Sequence, residues 1–191
     1  MQIEIISGSP RKDSVTYRIA LHLQEHLRKH TDHMVGIIDV REWKLPLLET
    51  VFSSVDQTPE AYKPLAKRIF AANAFILVTP EYNGSYAPAL QNLLDHFPKQ
   101  TRKAFGLVTA SVGAMGGMRA SQQLLLLVPG LFGIASPHML IVPQVDKKFD
   151  AAGQLTDPGF QGATDNFVRE FLWLAGNLLP ETVAEKRTVY N

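Results

Sequence analysis

The chain has 191 residues, 46% hydrophobic and 19% charged, with a formal net charge of +1. That length suits one well-buried domain, residues 1–191, and is short for two. The near-neutral balance, with no basic run or stripe, argues against nucleic acid as the partner and against a strongly acidic electron carrier. Cysteine is absent, so any redox chemistry has to come from a bound cofactor.

Strand-like and helix-like patterns alternate from end to end, which predicts an α/β protein with a parallel sheet. The first strand is Ile3–Ser7. A helix follows from about Ser14 to His30, with Val15, Ile19, Leu23 and Leu27 on one face and Ser14 or Asp13 as its capping residue. Met34–Asp39 is the second strand, and residues 40–58 read as a long loop. Thr58-Pro59-Glu60 opens a second helix that Pro64 splits, leaving a regular part from about Pro64 to Ala72. Ala74–Thr79 is continuously apolar, as a central strand covered on both faces should be. Pro88 opens a third helix that Pro98 stops, and Ala104–Ala110 is the fourth strand. A fourth helix, apolar nearly all round at Leu124–Val128, reads as buried in the core or in a subunit contact. His138–Val142 is the fifth strand, residues 143–162 lack periodicity, and a last helix covers about Ala163–Leu178. No apolar stretch reaches the ~20 residues of a membrane span, and the first residues run straight into a strand. The expected location is the cytoplasm, with no membrane partner.

Chemistry concentrates in the loops after the first, third and fourth strands. Gly8-Ser9-Pro10-Arg11-Lys12-Asp13-Ser14 joins strand to helix, with hydroxyls at Ser9, Ser14 and Thr16 and a cation at Arg11. A helix start collects free N–H groups and the positive end of the helix dipole, which is a way to hold a phosphate. Neither Gly-x-Gly-x-x-Gly nor Gly-x-x-x-x-Gly-Lys-Ser/Thr occurs, so a phosphate here belongs to a hydroxyl-lined loop, leaning toward a mononucleotide. The second loop runs Thr79-Pro80-Glu81-Tyr82-Asn83-Gly84-Ser85-Tyr86. Its Asn-Gly pair favours a tight turn, and its tyrosines offer flat surfaces for a planar ring. The third, Ser111 to Arg119, carries Gly113, Gly116 and Gly117, which allow close backbone approach to a ligand. In a sheet of order 2-1-3-4-5 these three loops gather beyond the carboxyl ends of the strands. A competing pattern, His22-Leu23-Gln24-Glu25-His26 with His30, matches a zinc motif but reads as a solvated helix face, so no metal site is expected.

The three loops, in this order and spacing, resemble those of the NAD(P)H-dependent FMN reductases, flavodoxin-like proteins that include quinone, azo-dye and chromate reductases. The resemblance implies a flavodoxin-like three-layer sandwich with a five-stranded parallel sheet. It also implies FMN as cofactor, NADPH or NADH as donor, and hydride transfer to a quinone, flavin or similar electron-poor acceptor. Carried over, Ser9, Arg11, Ser14 and Thr16 hold the phosphate. Pro80, Glu81, Tyr82, Asn83, Gly84 and Ser85 hold the ring, with Ser111, Gly113 and Gly117 flanking it. Arg119 and Tyr86 are substrate contacts, and no side chain acts as a nucleophile. A homodimer or homotetramer is implied, with the third and fourth helices at the contact. The chain departs from the family pattern at Pro10, Asp13, His96-Phe97-Pro98 and Leu124–Gly133. A non-catalytic flavin-binding electron-transfer or regulatory protein is the alternative.

Overall fold

The computed structural model of the chain describes residues 1–179, and the last part of the expected domain, 180–191, lies outside the described residues. Strands β1 (Gln2–Ser7), β2 (Met34–Asp39), β3 (Ala74–Thr79) and β6 (Ala104–Ala110) run parallel in the order β2-β1-β3-β6. The fifth position, next to β6, is shared by two short strands, β7 (Ile134–Ala135) and β8 (Leu140–Val142), both parallel to β6. The expected order stands. The expected single strand His138–Val142 does not: only Leu140–Val142 pairs with β6, the rest of the position is taken by Ile134–Ala135, and Pro137, with no N–H to donate, lies between the two. A separate antiparallel hairpin joins β4 (Glu81–Tyr82) to β5 (Ser85–Tyr86).

Side-chain alternation along the strands splits the core in two. Ile3, Ile5, Ile76 and Val108 face α1 (Thr16–His30) and α6 (Gln161–Asn177). Ile6, Phe75, Leu77 and Leu107 face α2 (Lys63–Ala71), α3 (Pro88–Asp95) and α4 (Met118–Gly130). Helix on both faces explains why β3 is apolar at every position. A Cβ at Gly106 would lie 2.8 Å from the Phe167 ring, so glycine there lets α6 close on the sheet.

Several helix boundaries differ from expectation. Neither Ser14 nor Asp13 caps α1; the residue before its first turn is Val15, and no side chain accepts from the helix start. The second helix is indeed split, into a single 3₁₀ turn at Glu60–Tyr62 and then α2, which carries Pro64 in its first turn, where its missing N–H costs nothing. Helix α3 ends at Asp95, ahead of Pro98. Helix α4 is not apolar all round in use: Leu124 and Val128 are buried whereas Leu126 is 71% exposed. The unpatterned stretch contains a one-turn helix, α5 (Val145–Lys148), and α6 starts at Gln161.

Candidate functional site

A cleft of about 340 Å³ opens at the carboxyl ends of β1, β3 and β6. The first loop contributes Ser9, Arg11, Asp13, Ser14, Val15 and Thr16, the second Pro80, Glu81 and Tyr82, and the third Ala110, Ser111 and Val112. The gathering of three loops expected from strand order is therefore what the fold builds.

The first loop leaves β1 along β3: Gly8 donates its N–H to the Val78 carbonyl at 2.8 Å. A Cβ on Gly8 would come 2.8 Å from that of Leu90, so the loop lies directly on α3. Beyond this point the backbone changes character. Among the described residues, no acceptor meets the N–H of Ser9, or any N–H from Arg11 through Thr16. The Ser14 and Thr16 hydroxyls, 2.8 Å apart, bond to each other and leave those amides free. A run of unpartnered donors at a helix start is a strongly electropositive cradle.

The second loop is the hairpin. Asn83 (φ 51°) and Gly84 (φ 83°) form its tip in the left-handed region, the geometry that Asn-Gly supplies to a two-residue turn. Thr79 anchors its base, its hydroxyl accepting from the Ala87 N–H at 2.9 Å. The Tyr82 hydroxyl is buried and has no partner among the described residues. The Arg11 guanidinium lies over the Tyr82 ring, 5.0 Å from its centre. Tyr82 thus presents an unsatisfied donor beside a cation.

The third loop is clipped to the second. The Glu81 carboxylate accepts from the Arg119 N–H at 3.1 Å, supplying the acceptor that the start of α4 lacks in its own sequence. Gly117 (φ 82°) precedes α4 in the left-handed region, and a Cβ there would lie 3.1 Å from that of Thr109. Its glycine serves the helix start rather than the cleft. Gly113 also lies outside the cleft lining; its carbonyl accepts from the Ser111 hydroxyl at 3.2 Å. Asn83, Gly84 and Ser85 at the hairpin tip, and Tyr86 and Arg119, are likewise outside the lining. The Tyr86 hydroxyl donates to Gln91. Val15, Ala110 and Val112 line the cleft but carry no polar signal by which a sequence would reveal them.

The histidine row on α1 is only in part the solvated face expected: His22 is buried, His26 half-buried and His30 exposed. The His22 ring sits 4.8 Å from Phe149, and burial lowers the pKa of both His22 and His26. His30 turns its Nδ1 to the His26 carbonyl. Among the described residues no three histidine or acidic side chains are grouped to hold a metal ion.

Residues 1–147 match the family model of the NADPH-dependent FMN reductases. The chain belongs to the NADPH-dependent FMN reductase family. Its cofactor is accordingly FMN, and its activity is that of an NAD(P)H-dependent oxidoreductase. This reductase is 34% identical over 184 residues to the FMN-dependent NADPH-azoreductase of Staphylococcus aureus, a match covering 91% of this chain and 94% of the relative. Its fold is similar to that of a flavoenzyme NAD(P)H:acceptor oxidoreductase from Paracoccus denitrificans, with a TM-score of 0.74 at 21% identity, covering 92% of this chain and 97% of the other. A flavodoxin from Pseudomonas aeruginosa superposes with a TM-score of 0.54 at 21% identity, over 90% and 99% of the two chains. The reductase therefore shares the flavodoxin-like sandwich. No helix among its described residues is long and apolar enough to cross a membrane.

Proposed function

We propose that the cleft holds FMN with its phosphate on the loop of residues 9–16 and its ring toward the hairpin and Ser111, and that the enzyme reduces a small aromatic acceptor such as a quinone, an azo compound or a free flavin. The observation that carries this reading is the unbroken run of unpartnered amides from Arg11 to Thr16. A phosphate dianion satisfies such a run of donors.

Within this reading Ser9, Ser14 and Thr16 donate hydroxyls to the phosphate and the Arg11 guanidinium balances its charge. Pro80, Tyr82 and Ser111 form the floor and edge against the ring, and the N–H groups of Asn83, Gly84 and Ser85 continue that edge toward the hairpin tip. Glu81 holds the hairpin against α4 through Arg119, fixing the two ring-side loops to each other. When bound, FMN supplies the hydride chemistry, and the protein supplies position and charge. The S. aureus relative's azoreductase name supports an azo acceptor. We further propose a cytoplasmic, single-domain enzyme that works as a homodimer or homotetramer. The exposed Met118 and Leu126 of α4 and the exposed Phe132 beyond it support α4 at the contact.

The test is the visible spectrum of the purified protein after loading with FMN and removal of the unbound fraction. The expected result is a retained flavin spectrum that bleaches with NADPH and returns on adding a quinone or azo dye. A protein that retains no flavin overturns the assignment of the cleft.

A further inference from the structure

Beside the cleft, separated from it by the first loop, lies a depression of about 430 Å³ lined by Pro10, Lys12, Asp39, Arg41 and Glu42. It has the look of a second anion site, but its arginine is already committed. Asp39, the last residue of β2, is 3% exposed and lies in register with Ser7, the last residue of β1. Its carboxylate accepts from Arg41 Nε at 2.9 Å on both oxygens and again from Nη2. The remaining guanidinium nitrogen, Nη1, donates to the Lys12 carbonyl at 2.8 Å. The face of the same group covers the ring of Tyr17, in the first turn of α1, at 4.5 Å. One side chain thus ties the end of β2, the middle of the first loop and the start of α1.

We infer that Arg41 is a positioning residue for the phosphate loop, holding its free amides in the orientation an anion needs. This rests on the placement of the FMN phosphate at residues 9–16. The reason lies in the peptide plane. The carbonyl of Lys12 and the N–H of Asp13 belong to one trans peptide and point in opposite directions. Holding the carbonyl toward Arg41 turns the Asp13 N–H the other way. Lys12 lines the depression and Asp13 lines the cleft, so that other way is the side of the phosphate. Arg41 is not itself among the residues that line the cleft. Only a planar guanidinium can present an edge to a carboxylate, a further nitrogen to a carbonyl and a face to a ring at once. Lysine keeps the charge beside Asp39 and loses that combination.

The test compares the dissociation constants of FMN and riboflavin, which differ by the phosphate alone, in the parent and in Arg41→Lys. The ratio favouring FMN is expected to fall about tenfold while riboflavin affinity stays within about twofold. A double variant, Asp39→Asn with Arg41→Gln, leaves no buried charge unpaired and should show the same loss of preference. In flavin-free protein, trypsin cleavage after Arg11 or Lys12, read by fragment mass, should become faster in both. An unchanged ratio, or equal losses of both flavins, overturns the role of Arg41 while leaving the phosphate site standing. A parent protein that binds both flavins alike overturns the phosphate site itself, and the brace with it.

Discussion

At the amino end of the sheet the buried carboxylate of Glu4 is held by two nitrogens of Arg68, and Gln2 and Asn73 exchange hydrogen bonds that tie β1 to the entry of β3. At the carboxyl end the backbone amides of Arg11–Thr16 have no acceptor among the described residues, and neither do the buried hydroxyls of Ser7, Tyr82 and Thr109 have a partner there. Both ends belong to the same strands, so strand propensity cannot be the cause. The free amides belong to a helix start on residues that are exposed or half-buried up to Val15, where an anion can replace water as their acceptor. On the proposed placement of FMN, stability is concentrated at the first end and binding at the second.

The largest expected effect tests the independence of the two ends. Arg68→Leu leaves Glu4 buried without its counter-charge and should cost about 3 kcal/mol in urea unfolding, while FMN affinity stays unchanged. A parallel loss of affinity would show that the ends are mechanically coupled. The reverse substitution in this scheme is Thr16→Ala. Thr16 is buried and its hydroxyl meets only that of Ser14, so stability should stay within about 0.5 kcal/mol. Fluorescence titration should show FMN binding about tenfold weaker. A large loss of stability with intact FMN affinity would move Thr16 from the binding end to the structural one.

The same division shows what the sequence can disclose. Strands β3 and β6 are legible to the residue, because doubly covered strands are runs of apolar side chains bounded by turns, and the edge strand β2 is equally so as a short β-branched run between two polar stretches. The fifth position is not, since a two-residue strand has no period and Pro137 lies between it and the remainder. The three loops are legible by place. The roles of individual glycines within them are not: Gly117 looks the same in sequence whether it admits a ligand or starts a helix. Ser14 reads as a cap because residue type is visible, whereas the direction of its hydroxyl, toward Thr16, is set in three dimensions. Arg41 was hidden in a stretch without periodicity, and its partners Lys12, Tyr17 and Asp39 meet only after folding.

The smallest expected effect concerns a half-buried cation at the amino end that has no counter-charge among the described residues. Lys103, just before β6, packs its ammonium 5.2 Å from the centre of the Phe75 ring and donates to Gln100 Oε1 at 2.9 Å and to the Ile69 carbonyl at 3.4 Å, with no carboxylate partner among the described residues. Burial brings its pKa down from 10.5 to about 8. Below pH 8 the folded protein carries the full cost of a desolvated charge. Between that pH and 10.5 the unfolded chain binds the extra proton, so stability rises with pH as the folded lysine neutralises. Lys103→Met removes the charge, and its gain is trimmed by the lost bond to Gln100, leaving about 1 kcal/mol at pH 6.5. That advantage should shrink by pH 9.5, where the parent has shed the same charge. Thermal unfolding of parent and variant at the two pH values reads the difference directly. A gain that does not depend on pH would trace to better packing against Phe75, and a loss at pH 6.5 would make Lys103 a fully paired member of the structural end.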